Sequence, residues 1–171
     1  MTFNVTVEIP QGSRNKYEVD HATGRIKLDR CLFTSTQYPS DYGYIDNTLG
    51  RDGDPLDALV ILKESTFPSC LIKCRAIAML KMTDESGSDD KVVCVPATDP
   101  RFSYLQDLED IPQQDRDEIL HFFEVYKTLE PGKSVANTLH WVGKAEADVE
   151  IREAFERLVA SHNLGIGGGL H

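Results

Sequence analysis

The stretch "CLIKCRAIAMLKMTDESGSDDKVVCVP", residues 70–96, decides how this chain folds. Its first half is strand-like, "SGSDD" (86–90) reads as a hairpin-like loop, and "KVVCVP" (91–96) returns as a second strand. Just upstream, "RDGDPLDALVIL" (51–62) packs Asp52, Asp54 and Asp57 into six residues and runs at once into another apolar segment. Towards the N-terminus the alternation continues. In "FNVTVEI" (3–9), Phe3, Val5, Val7 and Ile9 face one way and Asn4, Thr6 and Glu8 the other. "NKYEVD" (15–20) sets Tyr17 and Val19 inward and Lys16, Glu18 and Asp20 outward, and "HATG" (21–24) turns into "RIKLDRC" (25–31). There Arg30 shares its parity with Ile26 and Leu28, so it must meet an anion or a carboxylate, because an unpaired buried charge is costly. Short strands divided by turn signals predict a small barrel or sandwich.

Downstream the period changes. In "PQQDRDEILHFFEVYKTLEPGK", Ile119, Phe122, Phe123 and Tyr126 fall at helical spacing, and "EPGK" stops the helix. A second stripe, Ile151, Ala154, Phe155, Leu158 and His162, lies in "KAEADVEIREAFERLVASHN". Strands followed by helices predict an α+β fold with helices packed on a β-barrel. Residues 1–162 read as one domain and the Gly-rich 163–171 as a flexible tail.

The chain has 171 residues, 40% of them apolar, enough for a real core. Its net charge of −10 argues against non-specific attraction to nucleic acid or anionic lipid, and makes an anionic substrate a puzzle that only cations solve. No run of eighteen apolar residues suggests a membrane span, and the alternating start does not read as a signal peptide, so the expected setting is cytoplasmic. Cys31, Cys70, Cys74 and Cys94 lack the spacing of a structural zinc site and read as ordinary thiols.

"DGDP" is good turn chemistry, but three observations ask for more. Two like charges 4 Å apart repel by about 4 kcal/mol at an effective dielectric near 20, so a tight carboxylate cluster needs a counter-ion; with no soft ligands nearby it suits Mg²⁺ or Mn²⁺. Other acidic templates fail. An EF-hand loop counted from Asp52 would place Asp57 and Lys63 where Gly and Glu belong, and a phosphatase-type aspartyl nucleophile follows an apolar strand, whereas this cluster precedes one. A second run, "TDESGSDDK", carries Asp84, Glu85, Asp89 and Asp90 between two strand segments, and loops of a small barrel can converge at one rim. Lys16, Arg30, Lys91, Tyr126 and Lys127, with the Tyr-rich "QYPSDYGYI" (Tyr38, Tyr42, Tyr44), are the types that hold phosphate.

Together these blocks resemble the soluble family I inorganic pyrophosphatases. "DGDPLDALV" fits that family's D-x-D-P-x-D signature, and the likeness extends through "VEIPQGSRNKYEVD", "LDR", "YPSDYGYI", "KMTDESGSDDKVVCVP" and "HFFEVYKTLEPGK", from residue 3 to about 143. The resemblance implies an OB-like five-stranded β-barrel with two flanking α-helices, commonly a homohexamer in bacteria, and Mg²⁺-dependent hydrolysis of pyrophosphate to two phosphates without a covalent intermediate. By position it implies that Asp52, Asp57 and Asp89 ligate a first metal. Asp57 would be shared with a second, and Asp84 with Asp89 would hold a third. It makes Glu8 and Glu18 outer metal or water contacts, and Lys16, Arg30, Tyr42, Lys91, Tyr126 and Lys127 the phosphate-holding set, with Tyr38 nearby. It gives water activation to Asp54 and a base-like role to Asp89, and both stand as catalytic candidates. His21, directly after the Lys16–Glu18 segment, is a turn residue or a titratable neighbour of the site. Two rival readings remain: a phosphohydrolase for nucleotides or sugar phosphates, for which Trp141 would be the aromatic platform, and a Ca²⁺- or phosphate-binding module without catalysis.

Overall fold

The computed structural model describes residues 1–84, 87–132 and 138–168. Nine strands and two α-helices are found among them. The strands are β1 (Phe3–Ile9), β2 (Asn15–Asp20), β3 (Arg25–Cys31), β4 (Asp41–Ile45), β5 (Asp57–Val60), β6 (Leu71–Asp84), β7 (Gly87–Ser88), β8 (Lys91–Pro96) and β9 (Thr138–Gly143); the helices are α1 (Gln113–Val125) and α2 (Lys144–Gly168). Two short 3₁₀ turns, Pro100–Phe102 and Leu108–Asp110, lead into α1.

Five strands close on themselves. β1 pairs with β4, β4 with β5, β5 with β8, β8 with β6, and β6 returns to β1. This OB-like ring has no free edge. Only the β5–β8 step is parallel, with Asp57 opposite Lys91. β6 is long enough to leave the ring: its first residues pair with β1, and Ala78–Thr83 pair with β9. A register shift around Ile77 lets it bend between these tasks.

Alternate residues of β5 and β8 enter two apolar clusters. Ala58, Val60, Val92 and Cys94 pack with Ala147, Ile151 and Ala154 of α2. Leu59, Val93 and Val95 pack with Ile119, Phe122 and Phe123 of α1. Both strands are thus covered on both faces, which is why "ALV" and "VVCV" read as continuous apolar runs.

The sequence reading and the structure differ at four points. β2 and β3 form a separate two-stranded ribbon beside the ring, so β2 has no buried face and all its residues are half-buried. On β3, Leu28 is 57% exposed, and the register slips so that Asp29 is the extra residue between the Lys16–Arg30 and Tyr17–Leu28 pairs. The parity argument for Arg30 therefore fails, although its conclusion survives on other grounds. β9 is an unforeseen strand. Helix α2 runs to Gly168, past the expected start of the tail at Asn163, and residues 169–171 of that tail lie outside the described residues.

Gly43 is fixed by the crossing of β4 over β1. A Cβ on it would lie 1.9 Å from the Thr6 carbonyl oxygen and 2.9 Å from the Val7 Cα. Both obstacles are backbone, so nothing can yield cheaply. Gly43→Ala should therefore destabilise the barrel by at least about 3 kcal/mol, seen as loss of soluble folded protein or a fall in Tm of about six degrees or more. An unchanged Tm would show that β4 can move off β1.

Candidate active site

The parallel pairing of β5 and β8 brings their first residues to one rim of the barrel. Asp57 opens β5 and Lys91 opens β8. The Lys91 ammonium donates to Asp57 Oδ2 at 2.7 Å, to Asp89 Oδ1 at 2.8 Å and to the Tyr42 hydroxyl at 3.0 Å, and its side chain is 2% exposed. Its three donors have three acceptors, the condition under which a buried ammonium is tolerated. The Tyr42 and Phe123 rings stand 5.6 and 5.5 Å from the same nitrogen. The two acidic runs, separate in sequence, thus meet across one cation.

A cleft of about 640 Å³ opens from this rim. The candidate metal, catalytic and phosphate-holding residues line it: Glu8, Glu18, Asp52, Asp54, Asp57, Asp84 and Asp89 among the acids, and Lys16, Arg30, Tyr42, Lys91, Tyr126 and Lys127 among the cations and phenols. His21 is also on its wall. Its ring meets that of Tyr44 edge-on at 5.6 Å. Tyr38 lies behind, buried against Tyr42 and Phe122.

The fold aims these side chains by different means. Glu8 is the extra residue where β1 slips register against β4, and its Oε2 accepts from the Val19 amide of β2 at 2.8 Å, tying ribbon to barrel. Tyr126 caps the C-terminus of α1, and the turn after it carries Lys127 and Glu130. Lys127 Nζ is 4.0 Å from Asp84. Lys16 Nζ lies 3.7 Å from Glu18 and 3.5 Å from Asp29.

Arg30 does meet a carboxylate, and it is one that the sequence reading missed. Its Nη2 donates to Glu130 Oε2 at 3.0 Å; its Nε is 2.9 Å from Oε1 but badly aligned, so that N–H stays without a hydrogen bond; its Nη1 bonds Asp29. The signal for Glu130 was slight: one carboxylate inside an "EPG" helix stop. Asp41, in "YPSDYGYI", is the opposite case. It is buried outside the cleft and accepts from the Gln11 and Thr66 amides and the Ser65 and Thr66 hydroxyls, a structural pin for two loops.

Burial sorts the carboxyls. It drives Glu8 up to about 7 against the Val19 hydrogen bond, and lifts Asp57 to about 6 even with Lys91 pulling the other way. Asp89 is also raised by burial, but Lys91, a hydrogen bond from Asp57 and then Lys127 outweigh this and hold it below the usual range. Burial pulls the proton affinity of Lys91 down, but Asp57, Tyr42 and Asp89 outweigh it and hold the ammonium well above the ordinary lysine value. Burial lifts the Tyr42 and Tyr126 phenols, which stay protonated donors.

The donor set suits a hard cation. Apart from His21, the groups that could ligate a metal in the cleft are oxygens. Among the described residues no three of them draw together into a closed cage. Mg²⁺ does not need one, since it keeps several waters and is commonly held by one or two carboxylates plus phosphate oxygens. The Lys91 ammonium between Asp57 and Asp89 shows that this rim requires positive charge.

Comparison with known proteins agrees with this geometry. The family profile described as inorganic pyrophosphatase matches residues 5–159. The inorganic pyrophosphatase of Streptomyces coelicolor is 66% identical over 157 residues, covering 92% of this chain and 96% of that protein. That of Corynebacterium glutamicum is 57% identical over 160 residues, covering 94% and 100%. The crystal structure of inorganic pyrophosphatase from Thermus thermophilus superposes with a TM-score of 0.88 at 42% identity, covering 92% of this chain and 91% of that one. The chain belongs to family I of the inorganic pyrophosphatases.

Proposed function

We propose that the cleft hydrolyses inorganic pyrophosphate to two phosphates with water activated by several bound Mg²⁺ ions, Mn²⁺ being an alternative, and without a covalent intermediate. The observation that carries this reading is the meeting of the two acidic runs at Lys91, in one cleft that also holds Lys16, Arg30 and Lys127. When bound, divalent cations would neutralise the carboxylates, lower the pKa of an attacking water and stabilise the leaving phosphate.

Asp52, Asp57 and Asp89 would hold a first ion, Asp57 would be shared with a second, and Asp84 with Asp89 would hold a third; Glu8 and Glu18 would receive metal-bound waters or outer contacts. The protonated Tyr42 and Tyr126 phenols and the Lys16, Arg30, Lys91 and Lys127 cations would hold the phosphates where charge develops. Asp54 would accept or orient the water's proton. Asp89 is already tied to the Lys91 ammonium at 2.8 Å, which favours Asp54 over it in that role. The nucleotide reading loses its platform, because Trp141 packs on β9 against the α1-side core and does not line the cleft. Homohexameric assembly is proposed from the family resemblance and a cytoplasmic setting from the sequence. Among the described residues no helix is long and apolar enough to cross a membrane.

Phosphate release from pyrophosphate should be fast with Mg²⁺, abolished by EDTA, and much slower from ATP with Mg²⁺; folded protein that releases none from pyrophosphate would return the binding-module reading to the front. Asp57→Asn should lose metal affinity and turnover together. Asp54→Asn should keep its metal and lose roughly a hundredfold or more in kcat; near-normal turnover there would move the base to Asp89.

Without metal, the raised carboxyls set a pH dependence. Glu8 and Asp57 hold protons in the folded state up to about 7 and about 6, above their values of 4.5 and 3.8 in an unfolded chain. Between roughly pH 4 and 7 the folded state therefore binds more protons, and stability falls as pH rises. In EDTA the urea midpoint should be lower at pH 7.5 than at pH 5.0. A midpoint that rises over that span would contradict the raised values.

A further inference from the structure

Glu130 is a carboxylate for which the proposed reaction has no use, yet its side chain is only 5% exposed. Among the described residues, its ion-pair partner is Arg30. The two come from different parts of the molecule. Arg30 is on the ribbon strand β3, outside the closed ring, and Glu130 sits in the turn that follows α1 and carries Tyr126 and Lys127 into the cleft. We propose that Glu130 is a positioning residue for pyrophosphate binding: it holds the Arg30 guanidinium through Nη2, so that the Nη1 side stays turned to the phosphate.

The argument is one of unequal exchange. A carboxylate as buried as Glu130 cannot be left without its cation, because the uncompensated charge costs more than the pair gains. Arg30 therefore cannot swing wholly onto a substrate. Its other edge is different: Nη1 is held by Asp29, whose side chain is 30% exposed and which solvent can compensate if it lets go. An arriving phosphate would displace Asp29 and leave Glu130 in place. A guanidinium fixed on one edge has lost its rotamer freedom before substrate arrives, and pre-organisation of this kind adds to affinity. The same bond fastens the ribbon that carries Lys16 and Glu18 to the turn that carries Lys127, so the cations on opposite walls are held at one spacing.

This rests on Arg30 holding phosphate in the reaction proposed above, and the test separates the two. Glu130→Gln preserves shape and an acceptor for Nη2 but removes the charge. With Mg²⁺, it should raise KM for pyrophosphate about tenfold, the scale of a charge-assisted hydrogen bond, with a smaller change in kcat. Binding of inorganic phosphate with Mg²⁺, followed by calorimetry, should weaken in parallel. In an Arg30→Ala background the same substitution should change neither quantity further, since a residue acting through Arg30 has nothing left to act on. Equal effects of Glu130→Gln in both backgrounds, or a lowered Tm with KM and phosphate affinity unchanged, would overturn the proposal and leave Glu130 a structural residue. A wild-type protein that does not hydrolyse pyrophosphate would instead overturn the reading of the reaction.

Discussion

One buried ammonium organises this molecule. Lys91 sits at the mouth of β8 with Asp57, Asp89 and Tyr42 as its acceptors, almost wholly out of water. Burying it is permissible only because both carboxylates are present, and holding them together is permissible only because of the ammonium. The parallel step between β5 and β8 is what makes the arrangement possible: it brings two strand starts, and the acidic loops that feed them, to the same rim. An antiparallel step there would send Lys91 to the far end from Asp57. The chemistry of the rim and the topology of the barrel are thus one constraint.

The same logic extends through the cleft. Its lysines and arginine all stand near acids: Lys16 near Glu18 and Asp29, Lys27 near Glu18, Arg30 near Asp29 and Glu130, Lys91 near Asp57 and Asp89, Lys127 near Asp84. These pairs let a chain of net charge −10 gather phosphate-binding cations at one place without leaving them to repel one another. They also describe a site poised for exchange. A divalent cation competes for the carboxylates and a phosphate for the ammonium and guanidinium groups, so each arrival releases a partner for the other.

Much of this was legible in the sequence, and the failures have physical causes. β1, β5 and β8 were clear because they are buried on one face or both, and burial writes itself into residue type. The acidic runs were clear because crowding carboxylates has a cost that demands a reason. β9 was not: in "TLHWVG" the residues are exposed or half-buried, and the strand forms because β6 offers it an edge, a fact of another part of the chain. Arg30 was identified by a parity that β3 does not possess, since β3 buries no face and slips at Asp29. The conclusion held because a half-buried guanidinium needs a carboxylate whatever face it lies on. Glu130 left only a slight signal because a carboxylate beside Pro-Gly looks the same whether water or Arg30 compensates it. That the acidic runs meet in space also needed the structure.

The two walls of the cleft are built to different standards. The loop bearing Asp52 and Asp54 is bound from behind by α2. The Leu49 amide donates to the Ala154 carbonyl at 3.0 Å, Arg157 donates to the Leu49 carbonyl and to Glu150, and within the loop the Gly50 amide donates to the Asp54 carbonyl at 2.6 Å and the Asp54 amide to Asp52 Oδ1 at 3.0 Å. This wall is welded to a helix that is itself packed on the barrel. The ribbon of β2 and β3 has no barrel strand paired along it, and is fastened through side chains and loops: Glu8 on the Val19 amide, Glu130 on Arg30, Tyr17 against the core, and at its base the Tyr38 amide on the Ser13 carbonyl and the Gly12 amide on the Tyr38 carbonyl. The difference fits the proposed division of labour. Carboxylates that would hold metal must keep their spacing through every turnover, because a misplacement of an ångström is costly to catalysis. Cations that would hold phosphate come from two places, Lys16 and Arg30 from the ribbon and Lys127 from the turn after α1, and the Glu130–Arg30 pair is what ties the two together.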